Sequence, residues 1–308
     1  MEFKIRKAII TAAGYGTRQF PATKSIQKEM LPLVDTDGAT KPTIQVILEE
    51  LLRAGIRDAA IIAQPAGAAG FKKHFLRHIS DNRFSGKPVQ QAQQDQLITM
   101  AEHIILIEQS EQRGFGHAVY CAREWSQGEP FLLCLGDHVY SSHETRSCTS
   151  QLLDVFEHCK ASVIGLAETP EEQLHLFGTV TGKQINHSDA VYRLTRIIEK
   201  PSVDEAKSFL RTPGKEQYLT VFGIYAMMPQ LFTILESHVR QNKRLRGEIQ
   251  LSTALAELID TDLVYGVEIN GKRHDMGTPA GYLDTLLSLG LQGPYRKKIV
   301  NLFNNELS

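Results

Sequence analysis

Two basic residues follow a glycine turn near the start of the chain. Gly14-Tyr15-Gly16-Thr17 comes directly after an apolar run, Arg18 follows it, and Lys28 lies beyond a short polar stretch. Glycines let a backbone approach a ligand with its amides exposed, which suits phosphates or a nucleobase. Two cations beside such a turn suit a polyphosphate whose charge grows during a reaction. Taken singly, each feature has a simpler explanation, as a plain connection or a solvated surface charge.

Two common phosphate-binding motifs are excluded for this turn. A dinucleotide fingerprint needs a third glycine where Gln19 stands, and a Walker loop needs the sequence GKS or GKT. The missing third glycine also argues against a nicotinamide-dependent oxidoreductase.

Asp137 is a candidate ligand for a divalent cation. It follows Leu135 and Gly136 at the end of an apolar run that predicts a buried strand. The carboxyl ends of strands are where open α/β sheets bind their ligands. Mg²⁺ takes one or two carboxylates and keeps several waters. The sequence therefore predicts a magnesium site at this strand end.

Three further segments carry side chains suited to a nucleotide or a sugar. The Gln109 amide offers a donor and an acceptor, the complement of an imide edge such as that of uracil, although a turn before a helix is the simpler explanation. Glu199 and Lys200 are adjacent at a predicted strand end, where ordinary surface charges are the alternative. Glu248 opens a helix predicted for 248–259, where an early acid would favour the helix dipole.

The cysteines and histidines show no zinc-binding motif, and His74 and His78, four residues apart, are better explained as part of a solvated helix face. The four cysteines include no CxxC pair, and the eleven histidines include no HExxH sequence. We expect reduced thiols that pack as small apolar side chains.

Composition narrows the class of protein. The 308 residues are 42% apolar and 22% charged, which is typical of a globular chain. Lys plus Arg is 34 and Asp plus Glu is 35, so no broad basic surface for nucleic acid or an anionic membrane is expected. Apolar runs are far shorter than a membrane span, and the N-terminus lacks a signal-peptide core. We expect a cytoplasmic protein.

The elements that would carry these residues alternate in the first half of the chain. Strands are predicted over 8–12, 59–63, 104–107 and 131–135, and helices over 43–54, 71–78 and 117–124. This alternation predicts an α/β fold with a Rossmann-like, mostly parallel sheet flanked by helices. The second half looks mixed, with strands over 161–167, 191–198 and 219–227 and helices over 232–239, 248–259 and 280–289. Residues 80–96 are expected to form a long loop.

The segment Gly14–Arg18, together with Lys28-Glu29-Met30-Leu31-Pro32-Leu33, closely resembles the signature of the sugar-nucleotidyltransferases. The resemblance extends from about Lys7 to Gly290 in ordered blocks. The later blocks are Gln109–Gly116, Leu135–Asp137, Ile198–Pro201, Gly247–Leu251 and His274–Gly277.

The resemblance implies a reaction and a fold. It implies that UTP and glucose 1-phosphate give UDP-glucose and pyrophosphate by magnesium-assisted in-line attack on the α-phosphate. The alternatives are another nucleotide or sugar 1-phosphate, for example dTTP, and a non-catalytic relative that binds nucleotide sugars. The implied fold is one domain over 1–295, with a nucleotide-binding half (about 1–145), a sugar-binding half (about 146–295) and a tail (296–308). Relatives commonly form homodimers or homotetramers.

The resemblance also implies roles for individual residues. The catalytic residues would be Arg18, Lys28 and Lys200. The nucleotide would be bound by Ala13, Gly14, Gly16, Thr17, Gln109 and Gly116. The sugar would be bound by Gly178, Glu199, Lys200, Gly223 and Glu248. Asp137 and Asp275 would hold Mg²⁺.

Several positions depart from the closest family pattern. Gly136 stands where near relatives usually have proline, and His138 also departs. Met276 replaces a common cysteine, and Thr278-Pro279 replace the usual residues. All these changes leave the acids intact, so they weaken the exact sugar assignment more than the reaction class.

Overall fold

The computed structural model describes residues 3–76, 84–185 and 190–306. In chain order its strands are β1 (Lys7–Ala12), β2 (Pro32–Val34), β3 (Thr40–Pro42), β4 (Asp58–Ala63), β5 (Ile104–Glu108), β6 (Phe131–Leu135), β7 (His138–Ser142), β8 (Ser162–Thr169), β9 (Gly178–Gln184), β10 (Val191–Glu199), β11 (Tyr218–Met227), β12 (Val264–Glu268) and β13 (Gly271–Asp275). Its helices are α1 (Thr43–Arg53), α2 (Pro65–Phe71), α3 (Pro88–Ala101), α4 (Phe115–Tyr120), α5 (Arg123–Ser126), α6 (Cys148–Cys159), α7 (Val203–Phe209), α8 (Gln230–Arg240), α9 (Leu251–Thr261), α10 (Pro279–Gln292) and α11 (Arg296–Glu306).

Four parallel strands in the order β5-β4-β1-β6 form the first half of the main sheet. Their apolar runs are buried because helices cover both faces. Ile10 on β1 lies opposite Ile61 on β4 and Cys134 on β6, and all three are fully buried. These four strands and α1 confirm the strands and the helix predicted there, whereas the helix predicted over 117–124 is two short helices, α4 and α5.

The second half of the sheet is mixed. β11 is antiparallel to β6 and β8, β12 is parallel to β8, and β10 is antiparallel to β12 and β9. β9 also pairs with β11, so β8 to β12 close into a ring. The mixed character predicted for this half is confirmed, and the description as mostly parallel holds only for the first half, because β8 to β12 contain one parallel pairing, β12 with β8. Strands that follow one another closely, such as β9 and β10, can pair only as an antiparallel hairpin.

A separate two-stranded ribbon pairs β7, which follows β6 in the first half of the chain, with β13, which follows β12 in the second half. β7 follows β6 almost at once, and β13 pairs with it antiparallel, with Asp275 opposite His138. Neither strand was predicted, because their sequences HVYSS and GKRHD contain no apolar run. This ribbon joins chain segments far apart in sequence.

The glutamine-rich segment differs from the prediction. Residues 80–83 lie outside the described residues, but α3 occupies most of the expected loop. Gln, Ala and Leu favour helix, yet the segment lacks the apolar stripe by which helices are recognised, because α3 is largely exposed. The expected C-terminal tail also forms a helix, α11, and the helix expected from Glu248 begins at Leu251.

None of the helices in the described ranges is long and apolar enough to cross a membrane.

The predicted helix over 71–78 begins earlier, at Pro65, and continues as a π-helical turn over Lys72–Leu76. Its last two residues lie outside the described residues.

Shortening a side chain of the central strand tests this arrangement. Ile10→Ala removes a fully buried side chain, and we expect the free energy of unfolding to fall by about 2–5 kcal/mol. Ile105→Ala, on edge strand β5 where the side chain is 41% exposed, is the matched control and should cost much less. Urea unfolding of both variants measures the difference, and equal losses would contradict the assigned positions of β1 and β5.

Candidate active site

Asp137 and Asp275 meet at the carboxyl end of β6. Asp137 lies between β6 and β7, Asp275 ends β13, and the Met276 N–H donates to the Asp137 carbonyl at 2.9 Å. A Cβ built on Gly277 would lie 2.8 Å from Asp137 Oδ2 and 2.8 Å from Asp275 Oδ1. The two carboxylate oxygens are therefore separated by at most twice that distance.

Two basic side chains close the other side of this pair. Lys28 Nζ donates to Asp137 Oδ2, and Arg18 Nη1 lies 3.7 Å from Asp275 Oδ2. Burial alone would lower the pKa of Lys28, but the carboxylates of Asp137 and Glu29 raise it overall. Burial alone would raise the pKa of Asp137, but the charge of Lys28 lowers it overall. Both side chains are therefore charged at neutral pH.

The glycine turn packs directly against Lys28. Gly16 has φ +62°, a left-handed conformation that suits glycine, and its carbonyl accepts a hydrogen bond of 3.0 Å from Thr23 Oγ1. A Cβ on Gly14 would lie 3.6 Å from Lys28 Cε. The turn Ala13–Thr17 and the basic side chains thus line one end of the parallel strands.

The Gln109 block is held together by its own contacts. Gln109 is buried directly after β5, and its Nε2 donates to the Gly114 carbonyl at 3.1 Å and approaches His117 Nδ1 at 3.0 Å. The Gly116 N–H donates to the Ile249 carbonyl at 2.8 Å. A Cβ on Gly116 would lie 2.9 Å from that carbonyl oxygen, so the glycine is needed for this approach.

Glu248 lies in the segment that packs on these glycines. Its Cβ would be 2.7 Å from a Cβ on Gly114, and its side chain is exposed. It precedes α9 and is not an acid of the first helical turn. The expected helix-dipole role is therefore wrong, and Glu248 lies instead beside the Gln109 block.

The other predicted residues are Gly178, Glu199, Lys200 and Gly223, which lie on or directly after strands β9, β10 and β11. Together they form a second wall of the site. Glu199 pairs with Gly178 across β10 and β9, and its Oε2 would be 3.3 Å from a Cβ on Gly178. Lys200 is exposed, has φ +46°, and its Nζ lies 4.0 Å from Glu199 Oε1. A positive φ is strained for a non-glycine residue, and such strain often accompanies a functional site.

His138 connects this wall to the carboxylates. Gly223, at φ +102°, leaves room for the imidazole, because a Cβ there would lie 2.6 Å from His138 Nδ1. His138 Nε2 lies 3.8 Å from Asp275 Oδ1. Gly223 and Asp275 are therefore on two sides of one imidazole ring.

Comparison with known proteins identifies the family of this chain. The sequence pattern of the family described as nucleotidyl transferase matches residues 7–290. The chain belongs to this family. The resemblance drawn from the motifs is thereby confirmed.

Full-length relatives and solved structures of family members are similar to this chain. It is 34% identical to a UTP–glucose-1-phosphate uridylyltransferase of Staphylococcus epidermidis over 99% of both chains. It is 35% identical to one of Bacillus subtilis, over 94% of this chain and 92% of that protein. Among solved structures, a UDP-glucose pyrophosphorylase complexed with UDP-glucose has a TM-score of 0.77 at 27% identity, covering 96% of this chain and 99% of that one. A UTP-bound UGPase from Acinetobacter baumannii has a TM-score of 0.78 at 27% identity, covering 99% and 100%.

The donor set at Asp137 and Asp275 fits a hard divalent cation such as Mg²⁺. Two carboxylates lie close together, and the Lys28 ammonium already occupies a cation position against one of them. Mg²⁺ is usually held by one or two carboxylates, with waters and substrate phosphates as its other ligands.

A second acidic group in the described chain does not fit a metal. Asp35, Asp37 and Glu49 lie close together, but the Lys41 ammonium sits among them at 2.8, 2.6 and 2.7 Å. This ammonium supplies the charge that a metal would supply, so the cluster is a salt-bridge network.

Motif reading assigned no role to two residues beside the site, Glu29 and Arg273. Glu29 is fully buried beside Lys28, at 3.6 Å from its Nζ, and neither carboxyl oxygen has a hydrogen-bond partner. Burial raises the pKa of the Glu29 carboxyl from 4.5 to about 7, with Lys28 offsetting part of the increase. Adjacency to Lys28 was the only sequence signal for Glu29, and Arg273 had none, because the strand that carries it was not predicted.

Glu29 makes the stability of the fold depend on pH. The unfolded chain releases this proton near pH 4.5 and the folded chain near pH 7, so the folded chain binds more protons in between. The free energy of unfolding therefore falls as pH rises through this window. Glu29→Gln mimics the neutral carboxyl, and we expect it to exceed the wild type in stability by on the order of 3 kcal/mol at pH 8 and to match it near pH 4.5.

Urea unfolding at a series of pH values measures this effect. Glu102→Gln, which removes an exposed acid, is the control and should follow the wild type throughout. A constant offset between Glu29→Gln and the wild type at every pH would show that Glu29 is charged in the fold.

Proposed function

We propose that this chain is a UTP–glucose-1-phosphate uridylyltransferase, which converts UTP and glucose 1-phosphate into UDP-glucose and pyrophosphate. The observation that carries the proposal is the meeting of Lys28 and Arg18 with Asp137 and Asp275 at one edge of the sheet. Full-length relatives of the chain have this activity by name.

The reaction requires positioning and charge compensation more than acid–base chemistry. An oxygen of the sugar phosphate is already an anion, so it can attack the α-phosphorus of UTP without a general base. A bond forms from this oxygen to the α-phosphorus, the α–β bridge bond breaks, and its electron pair leaves with pyrophosphate. Repulsion between two anions is the main obstacle, and fixed cations lower it.

The basic residues have distinct roles in this proposal. Arg18 and Lys28 bind the triphosphate and compensate the charge that builds up on the leaving pyrophosphate. Lys200 binds the phosphate of glucose 1-phosphate and orients the attacking oxygen. Its exposure and its loose contact with Glu199 leave the ammonium available for a ligand.

Asp137 and Asp275 would hold Mg²⁺. When bound, this ion would compensate phosphate charge. Lys28 compensates the charge of the Asp137 carboxylate through its contact with it.

The nucleotide and the sugar would lie on opposite sides of this centre. Backbone amides of Ala13, Gly14, Gly16 and Thr17 bind the phosphates and base, and Gln109 reads uracil. The Gly116 N–H already donates to the Ile249 carbonyl. Gly116 therefore contributes to nucleotide binding only by leaving room for the base beside its backbone. Gly178, Glu199 and Gly223 contact the sugar from one side, and Glu248 contacts it from beside the Gln109 block.

We further propose one domain over 1–295 with nucleotide-binding and sugar-binding halves that meet at the β6–β11 pairing. We also propose a homodimer or homotetramer. Apolar side chains of the last two helices and their junction favour an interface there: Leu283, Tyr295, Leu302 and Phe303 are all about half exposed.

A substrate panel tests the proposed function. Purified enzyme with Mg²⁺ is assayed for pyrophosphate release with UTP, dTTP, ATP and GTP, each with several sugar 1-phosphates. We expect the highest kcat/KM for UTP with glucose 1-phosphate. A preference for dTTP would assign the alternative nucleotide, and no release with any pair would contradict the proposal.

Replacing Asp137 tests the metal role. Asp137→Asn keeps the side-chain size but removes one of two carboxylates, and we expect kcat to fall by about 10²–10³. Pyrophosphate release is measured against Mg²⁺ concentration. Asp154→Asn, which removes an exposed acid paired with Arg146, is the control and should behave as the wild type. A wild-type rate for Asp137→Asn would refute the assignment.

A further inference from the structure

Arg273 lies on the same face of β13 as Asp275. Side chains two residues apart on a strand point to the same face, and His274 between them points the other way, with its Nε2 2.8 Å from Ser141 Oγ. Arg273 is opposite Tyr140 of β7. The ribbon that brings Asp275 to Asp137 therefore also directs this arginine toward the second wall.

The guanidinium of Arg273 contacts both glycine-bearing segments of that wall. It lies 3.7 Å from the ring centroid of Phe177, the residue before Gly178. Its Nη1 also donates to the Val221 carbonyl, two residues before Gly223. One side chain thus joins three segments: the strand of Asp275 and the starts of the Gly178 and Gly223 segments.

Tyr140, which lies opposite Arg273 in the ribbon, also attaches the ribbon to β11. Its hydroxyl donates to the Gly223 carbonyl at 3.0 Å, and its ring stacks on Phe222 with centroids 5.2 Å apart. The ribbon is therefore fixed to β11 on both sides of Phe222.

The charge of Arg273 is not balanced by an ion pair in the described parts of the chain. Its contacts there are a ring face and a carbonyl, and burial lowers its pKa although arginine stays charged at neutral pH. A planar guanidinium suits this position because it can stack on a ring and donate in its plane at once, which an ammonium cannot do. The two contacts fix the side chain more by shape than by charge pairing.

We propose that Arg273 is a positioning residue that holds the second wall, where the sugar would bind, at a fixed distance from the carboxylates of Asp137 and Asp275. This inference rests on the function proposed above. Glucose 1-phosphate must contact Gly178 and Gly223 while its phosphate reaches the α-phosphorus of UTP. Misplacement by about 1 Å is enough to lower a rate by about 10². Within the described ranges, none of the residues proposed to bind the nucleotide hydrogen-bonds to or stacks on Arg273, so we expect nucleotide binding to be independent of it.

Steady-state kinetics of Arg273→Met and Arg273→Lys test the inference. Methionine keeps much of the apolar stem but loses the planar group, and we expect KM for glucose 1-phosphate to rise about tenfold or more while KM for UTP stays within twofold. Lysine keeps the charge without the planar fork, and we expect it not to restore the wild-type value. Full rescue by lysine, or parallel changes in both KM values, would overturn the inference.

Two further variants keep the result interpretable. Arg196→Met removes an exposed arginine that stacks on Phe209 at 5.0 Å, away from the site, and should leave both KM values unchanged. Phe177→Leu removes the ring while keeping Arg273, and should show the same selective rise if Arg273→Met does not fold. Unchanged kinetics in Phe177→Leu would overturn the inference, whereas an inactive wild type would instead refute the proposed function.

Discussion

The ion pair between Lys28 and Asp137 is the interaction on which this site depends. Lys28 contacts Asp137, lies 3.6 Å from the Glu29 carboxyl, and is within the electrostatic reach of Asp275. Without a cation among them, carboxylates this close would repel strongly in a half-buried space. A buried pair that loses one partner leaves an uncompensated charge, at a cost of about 3–5 kcal/mol. The segment from the glycine turn to Lys28 must therefore fold back over the sheet edge.

The same requirement explains why distant segments meet without bulky side chains between them. A Cβ on Gly277 would lie 2.8 Å from Arg18 Nη2 and from both carboxylates, so only glycine allows that approach. At Gly116, likewise, a Cβ would lie 2.9 Å from the Ile249 carbonyl oxygen, so only glycine allows these two segments to pack together. Glycines that a motif attributes to ligand contact thus also permit the chain to pack on itself. Their two roles are compatible because both need a bare backbone.

The sequence allowed the parallel strands and the motif positions to be predicted, but not the ribbon. The runs at β1, β4 and β6 are apolar because both faces are covered, and this is a local signal. The strands β7 and β13 have few apolar residues and are stabilised by pairing across a large sequence separation. The glutamine-rich α3 was predicted as a loop because this helix is largely exposed and therefore lacks an apolar stripe. Contacts such as Arg273 with Phe177 depend on the ring of β8 to β12, which no local pattern encodes.

Two departures from the family pattern, Gly136 and His138, contact different parts of the site. The Gly136 N–H donates to the Thr11 carbonyl at 2.9 Å, and a Cβ there would lie 3.0 Å from Glu29 Cγ, so proline would lose the bond and crowd the buried acid. Glycine at 136 and the close packing of Glu29 therefore belong together. His138 instead touches Gly223 and approaches Asp275. Asp137 is held by Lys28, whereas His138 packs on the Gly223 segment that we propose for the sugar, so we expect exchange of His138 to act on the choice of sugar more than on the reaction class.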